Sequence, residues 1–209
     1  FGPDGDRLAV STSGRDVNTN VSVADVGRLR TASDTETATD ALDRLTHAST
    51  AGIPPETFVE PELVHYETFD DREIPAFFSV PETASKGDTP VIIDIHGGPE
   101  SQRRPSFAGL TQYFLSRGYA VLEPNVRGST GYGKAYTHLD DVEKRMDSVK
   151  DIASALDWLE SQQVVHPDRI VAKGGSYGGF MVLWGLPAYP APPGGRGPSV
   201  GCGPFLSFP

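Results

Sequence analysis

The 209 residues carry a formal charge of −10, with 28 Asp and Glu against 18 Lys and Arg. Phosphate contacts need clustered Lys and Arg, so this balance argues against a nucleic-acid partner. No run of eighteen apolar residues offers a membrane span, and the lone Cys202 leaves neither an internal disulfide nor a cysteine-based metal site. Asp outnumbers Glu and Arg outnumbers Lys, a pattern that fits a high-salt cytoplasm and equally an ordinary acidic enzyme. The expected compartment is the cytoplasm. The chain opens Phe1-Gly2-Pro3-Asp4-Gly5, a turn signal in place of a charged and then apolar leader, and so reads as a fragment of a longer protein.

Short β segments come first. Leu8–Ser11 and Val21–Val26 alternate and are rich in β-branched residues, with Asp4-Gly5 marking a tight turn. The polar stretch from Thr31 to Asp43 has little to bury and reads as a loop or hairpin tip. A Pro-containing connection over 53–61 then separates this segment, residues 1–52, from a second domain, residues 53–184.

That domain begins with a strand pair, Leu63–Phe69 and Ile74–Val80, turned at Asp70-Asp71-Arg72. The continuous apolar run Pro90–Ile95 predicts a buried strand, and Phe107–Arg117 a helix closed by Gly118. Tyr119–Glu123 is the next buried strand. From Ser148 to Gln162 the pattern turns helical, with Val149, Ile152, Ala153, Leu156 and Leu159 on one face and Ser148-x-x-Asp151 as a capping box. After a turn at His166-Pro167-Asp168 comes the strand Arg169–Lys173. Strands alternating with helices predict an α/β fold with a mostly parallel sheet covered on both faces.

Three glycine-bearing loops follow strands of this sheet. Gly174-Gly175-Ser176-Tyr177-Gly178-Gly179 joins the last strand to the apolar segment Phe180–Trp184 and matches the G-x-S-x-G nucleophile elbow at Gly174, Ser176 and Gly178. Side chains at the two glycines would collide across so sharp a turn, and its apex raises the Ser176 hydroxyl as a nucleophile. His96-Gly97-Gly98-Pro99 ends the strand Pro90–Ile95, and its glycines let a backbone N–H approach a developing oxyanion; Gly98 is the expected donor and His96 an orienting residue. Asn125–Gly133 lacks both the P-loop ending and the GxGxxG spacing, and Arg127 in it reads as an ion pair fixing the loop.

These motifs, in this order, resemble the prolyl oligopeptidase family of serine peptidases, and within it the acylaminoacyl-peptidase and dipeptidyl-aminopeptidase branch. The resemblance runs from Leu63 to Trp184. It implies the N-terminal half of an α/β-hydrolase fold, with residues 1–52 the remnant of a β-propeller blade. It makes Ser176 the nucleophile, assigns the oxyanion hole to the backbone N–H groups of Gly98 and Tyr177, and implies short peptides as substrate with no cofactor and no metal. It leaves open a homo-oligomer of the full-length protein. An esterase or lipase on the same fold and a non-catalytic pseudo-enzyme are the alternatives. The fold orders its triad Ser, Asp, His, yet no Asp, Glu or His follows Ser176, and all five histidines, at 47, 65, 96, 138 and 166, precede it. About half of residues 185–209 are Pro or Gly. This tail departs from the family and is expected to stem from a frame error or a misassembled gene.

Overall fold

The computed structural model describes residues 1–14 and 17–188, and the chain divides into two compact units. From residue 189 on, the Pro- and Gly-rich tail lies outside the described residues. Among those described, no helix is long and apolar enough to cross a membrane.

The smaller unit comprises Phe1–Phe58 with Pro105–Gln112. Its strands β1 (Arg7–Thr12), β2 (Asn20–Asp25) and β3 (Leu42–Arg44) form an antiparallel sheet in the order β1-β2-β3. The strand expected over Val21–Val26 stops at Asp25, because the Asp25 carboxylate accepts from Arg28 N and caps α1 (Val26–Thr31). The expected loop over 31–43 also holds α2 (Thr35–Thr39), where Asp34 and Thr37 satisfy each other's backbone N–H groups. Neither helix buries a residue, so neither has an apolar period to read.

The larger unit comprises Val59–Arg104 and the chain from Tyr113 on. Its five-stranded sheet runs β4 (Glu62–Glu67), β5 (Glu73–Ser79), β7 (Ala120–Pro124), β6 (Thr89–Ile95), β8 (Val165–Gly174). β4/β5 and β5/β7 pair antiparallel, β7/β6 and β6/β8 parallel, so the sheet is mixed where a mostly parallel one was expected. The reason for the β4/β5 pair is connectivity: the five residues between these strands permit only an antiparallel partner, whereas helix-containing crossovers permit parallel ones. The chain between β6 and β7 carries α3 (Gly109–Ser116), ended by Gly118 at φ +84°. Between β7 and β8 come the short helix α4 (Lys134–Thr137), two 3₁₀ turns and α5 (Arg145–Ser161), and after β8 comes α6 (Tyr177–Ala188).

The core joins one face of the sheet, through Val91, Ile93, Ile95, Leu122 and Ile170, to Val149, Ile152, Ala155 and Leu159 of α5 and Met181 of α6. Two expectations shift. α5 starts at Arg145, led in by the 3₁₀ turns, so Ser148 and Asp151 are no capping box but buried polar residues on its inner face, where Ala155 replaces the expected Ala153. β8 starts at Val165, and the turn expected at His166–Asp168 is absorbed as an irregularity in the β6/β8 register between Thr89 and Val91.

Candidate active site

Two residues separate the end of β8 from the start of α6, and the second, Ser176, has φ +53°. A non-glycine residue seldom adopts this left-handed conformation, and the cost is tolerated only where surrounding structure enforces it. Here the enforcement is steric. A Cβ added at Gly174 would lie 2.4 Å from the Gly178 carbonyl carbon, and one added at Gly178 would lie 2.2 Å from the Ile95 carbonyl oxygen. Backbone touches backbone at both positions, so only glycine fits. Hydrogen bonds from Gly178 N to Gly175 O (3.0 Å) and from Phe180 N to Ser176 O (3.1 Å) close the turn. Ser176 stands exposed at its apex.

The loop after β6 lies directly against this serine. A Cβ on Gly97 would sit 3.3 Å from Ser176 Cβ and 3.7 Å from Ser176 Oγ. The neighbour of Gly97, the expected donor Gly98, has φ +129° and a cis peptide to Pro99. His96 is buried and holds both ring nitrogens in hydrogen bonds, Nδ1 with Gly97 O (2.7 Å) and Nε2 with Ser129 Oγ (3.1 Å). A carbonyl only accepts, so Nδ1 carries the hydrogen and Nε2 accepts from Ser129. Burial pushes the imidazole below its ordinary pKa, which keeps it neutral. His96 therefore fixes the loop, as the sequence suggested, and has no free nitrogen to offer Ser176.

The third loop is a scaffold. Arg127, only 3% exposed, bonds Asp151 through Nε and Nη2 (2.8–3.1 Å) and Asp70 through Nη1 and Nη2 (3.2 and 3.0 Å). Asp151 also receives Arg127 N and Thr68 Oγ1. Burial opposes the guanidinium charge, but the hydrogen bonds to Asp151 and Asp70 outweigh it and raise the pKa of Arg127, so it stays charged. Arg127 is thus a buried ion-pair residue whose three guanidinium nitrogens all serve the carboxylates of Asp151 and Asp70. Asn125, fully buried, grips Arg103 at both backbone N and O, which ties this loop to the one bearing Gly97 and Gly98.

One cluster had no sequence signal. The Tyr177 hydroxyl meets Asp140 Oδ2 (3.2 Å) and Ser148 Oγ (2.7 Å), and Arg145 Nη1 donates to the same Asp140 oxygen at 2.8 Å. Asp140 lies in a polar stretch of short turns, where no period or motif marks it as buried.

The chain is similar to several known proteins. The prolyl oligopeptidase family model matches residues 105–191. The dipeptidyl aminopeptidase BIII of Pseudoxanthomonas mexicana is 36% identical over 124 residues, which make up 56% of this chain and 18% of that protein. The acylamino-acid-releasing enzyme of Arabidopsis thaliana is 38% identical over 92 residues, 44% of this chain and 12% of that one. Among solved structures, a puromycin hydrolase superposes with a TM-score of 0.71 at 26% identity, covering 85% of this chain and 26% of that chain. The chain thus spans about a fifth or less of the length of these curated relatives. With the elbow at Ser176, the glycine loop set against it and these likenesses taken together, the chain is similar to the prolyl oligopeptidase family, whose model it matches over residues 105–191.

Proposed function

We propose that this chain carries the nucleophile-bearing part of a serine peptidase domain that hydrolyses short peptides through an acyl-enzyme on Ser176. The observation that carries the proposal is the enforced φ of +53° at Ser176, on a strand-to-helix turn with the Gly97 backbone beside its hydroxyl. In this reading Ser176 Oγ attacks the scissile carbonyl, and the N–H groups of Tyr177 and Gly98 receive the oxyanion. Residues 53–184 form the incomplete hydrolase domain, residues 1–52 the end of a β-propeller, and residues 185–209 a departure from the family. The relatives' names, a dipeptidyl aminopeptidase and an acylamino-acid-releasing enzyme, support short peptides as the substrate class.

A serine hydroxyl needs a base to take its proton. In this fold the base follows the nucleophile in sequence, and no His, Asp or Glu follows Ser176 here. With aminoacyl and acylaminoacyl nitroanilides, the chain as given shows no turnover above a Ser176→Ala control, since losing the base costs several orders of magnitude. Restoring a family-like C-terminal continuation brings hydrolysis that Ser176→Ala abolishes and that declines as pH falls below about 6 to 7, where the returned histidine protonates. Hydrolysis by the restored protein that survives Ser176→Ala would show that the nucleophile is another residue.

A further inference from the structure

The buried carboxylate Asp140 is remote from Ser176 in sequence, yet it ends one residue away from it through the side chain of Tyr177. Asp140 is 1% exposed, and a Cβ on Gly128, whose φ is +94°, would lie 2.4 Å from Asp140 Oδ1, so the third loop backs the carboxylate closely. Asp140 accepts from Tyr177 Oη and from Arg145, while Ser148 Oγ, buried on α5, donates to the Arg145 carbonyl and is hydrogen-bonded to Tyr177 Oη at 2.7 Å, where either hydroxyl can be the donor. The Arg145 guanidinium lies 5.2 Å from the Tyr177 ring centre, and Phe180 stacks on that ring at 5.5 Å and 24°. The phenol is thus held at its tip and against its ring.

Such a clamp is excessive for a residue that merely packs. Burying a carboxylate is costly before its partners offset it, and an apolar cluster of the same volume is commonly as stable or more so. What the clamp adds is a fixed direction. Tyr177 is the first residue of α6, so its N–H has no acceptor within the helix. The direction of that N–H is set by the Ser176–Tyr177 peptide plane, which adjoins the strained φ of Ser176. A donor to an oxyanion contributes only when it is oriented before charge develops.

We propose that Asp140, with Ser148, is a positioning residue that orients the Tyr177 backbone N–H through the Tyr177 hydroxyl. The inference rests on the reading of Ser176 and Tyr177 as nucleophile and oxyanion donor. It is tested on the chain as it stands by replacing the nucleophile with one that needs no base: Ser176→Cys, with Cys202→Ser so that position 176 bears the sole thiol. A thiolate there attacks the carbonyl carbon of p-nitrophenyl acetate. The C–S bond forms as the carbonyl electron pair moves to oxygen, and the oxyanion then collapses, breaking the C–O bond and expelling p-nitrophenolate. Iodoacetamide alkylates the same thiolate by displacing iodide at a methylene carbon and forms no oxyanion. The ratio of the two rates therefore reads the oxyanion donor and cancels changes in exposure or thiol pKa.

Tyr177→Phe, which removes one oxygen atom, and Asp140→Ala are expected to lower that ratio about tenfold, less than the hundredfold or more that follows loss of a whole donor. Asp140→Asn keeps an acceptor for the Tyr177 hydroxyl and is expected to recover the ratio to within about threefold of the parent. An unchanged ratio in Tyr177→Phe, or ester and alkylation rates that fall together, overturns the proposal even if Asp140→Ala fails to fold. If the parent thiolate shows no higher ratio than free cysteine, the oxyanion site itself is absent, and the reading of the site falls together with the inference.

Discussion

His96 sits between a carbonyl and a hydroxyl, and that pairing decides its protonation. A second proton on the ring would fall on Nε2, so Ser129 would have to turn from donor to acceptor and the buried ring would become a cation withdrawn from water. Burial, aided by the nearby Arg103 charge, holds its pKa below the ordinary 6.5, although the Gly97 carbonyl and Asp94 act in the opposite sense. The linkage follows. Between the ordinary value and the lower folded one the unfolded chain binds more protons, so this residue's contribution to stability is complete above about pH 6.5 and is lost as pH falls through that window. An NMR titration of the imidazole carbons, with His96→Gln to assign the signal, should give a His96 midpoint below 6.5; a midpoint at or above it contradicts the buried neutral ring. At this scale the sequence was readable wherever chemistry dictates residue type at fixed spacing, as at Ser176, or where a charge in a buried loop needs a partner, as at Arg127. Asp140 stayed hidden because its burial depends on Gly128 and Tyr177, which are brought to it only by the finished fold.

The joint between β8 and α6 shows how two elements set the angle of a third object, the serine. Gly174 and Gly178 touch across the turn and Gly178 also abuts the end of β6, so three elements meet without a side chain between them. Gly175 points into open space, and its backbone φ is not in the left-handed region. Gly178→Ala should therefore destabilise the chain by about 3 kcal/mol or more, since neither backbone can yield, whereas Gly175→Ala should change stability by less than about 1 kcal/mol. Urea unfolding followed by protease resistance measures both, and equal effects would mean that the turn relaxes freely. The same contrast explains which elements could be read in advance. β6, β7 and α5 bury long apolar runs whose period is decisive. α1 and α2 bury nothing and are held by side-chain caps, the start of α5 is set by preceding 3₁₀ turns, and β8 passes through a Pro-containing turn signal because β6 holds both ends of the irregular stretch.

The two units differ in what holds them together. The larger buries a continuous cluster that includes Ile93, Leu122, Val149, Leu159 and Met181. In the smaller, the fully buried apolar side chains among the described residues are Ala24 and Ala41, and its β2 buries the polar Asn20 and Ser22 beside Ala24. A three-stranded sheet with so little apolar surface removed from water has little to offset the entropy of ordering its backbone. Its Asn20 side chain, which accepts from Ala48 N and Thr46 Oγ1, organises the adjoining turn without supplying that driving force. Opening of the β1-β2-β3 sheet should then require far less free energy than opening of the β6/β7 pair, and its amides should exchange through local fluctuations instead of global unfolding. In hydrogen–deuterium exchange, peptides covering 20–25 are expected to exchange at least about a hundredfold faster than peptides covering 91–95 and 120–124. Protection of the two regions within a few-fold of each other would mean that the chain opens as one cooperative body, and that the small sheet draws its stability from something other than its own buried residues.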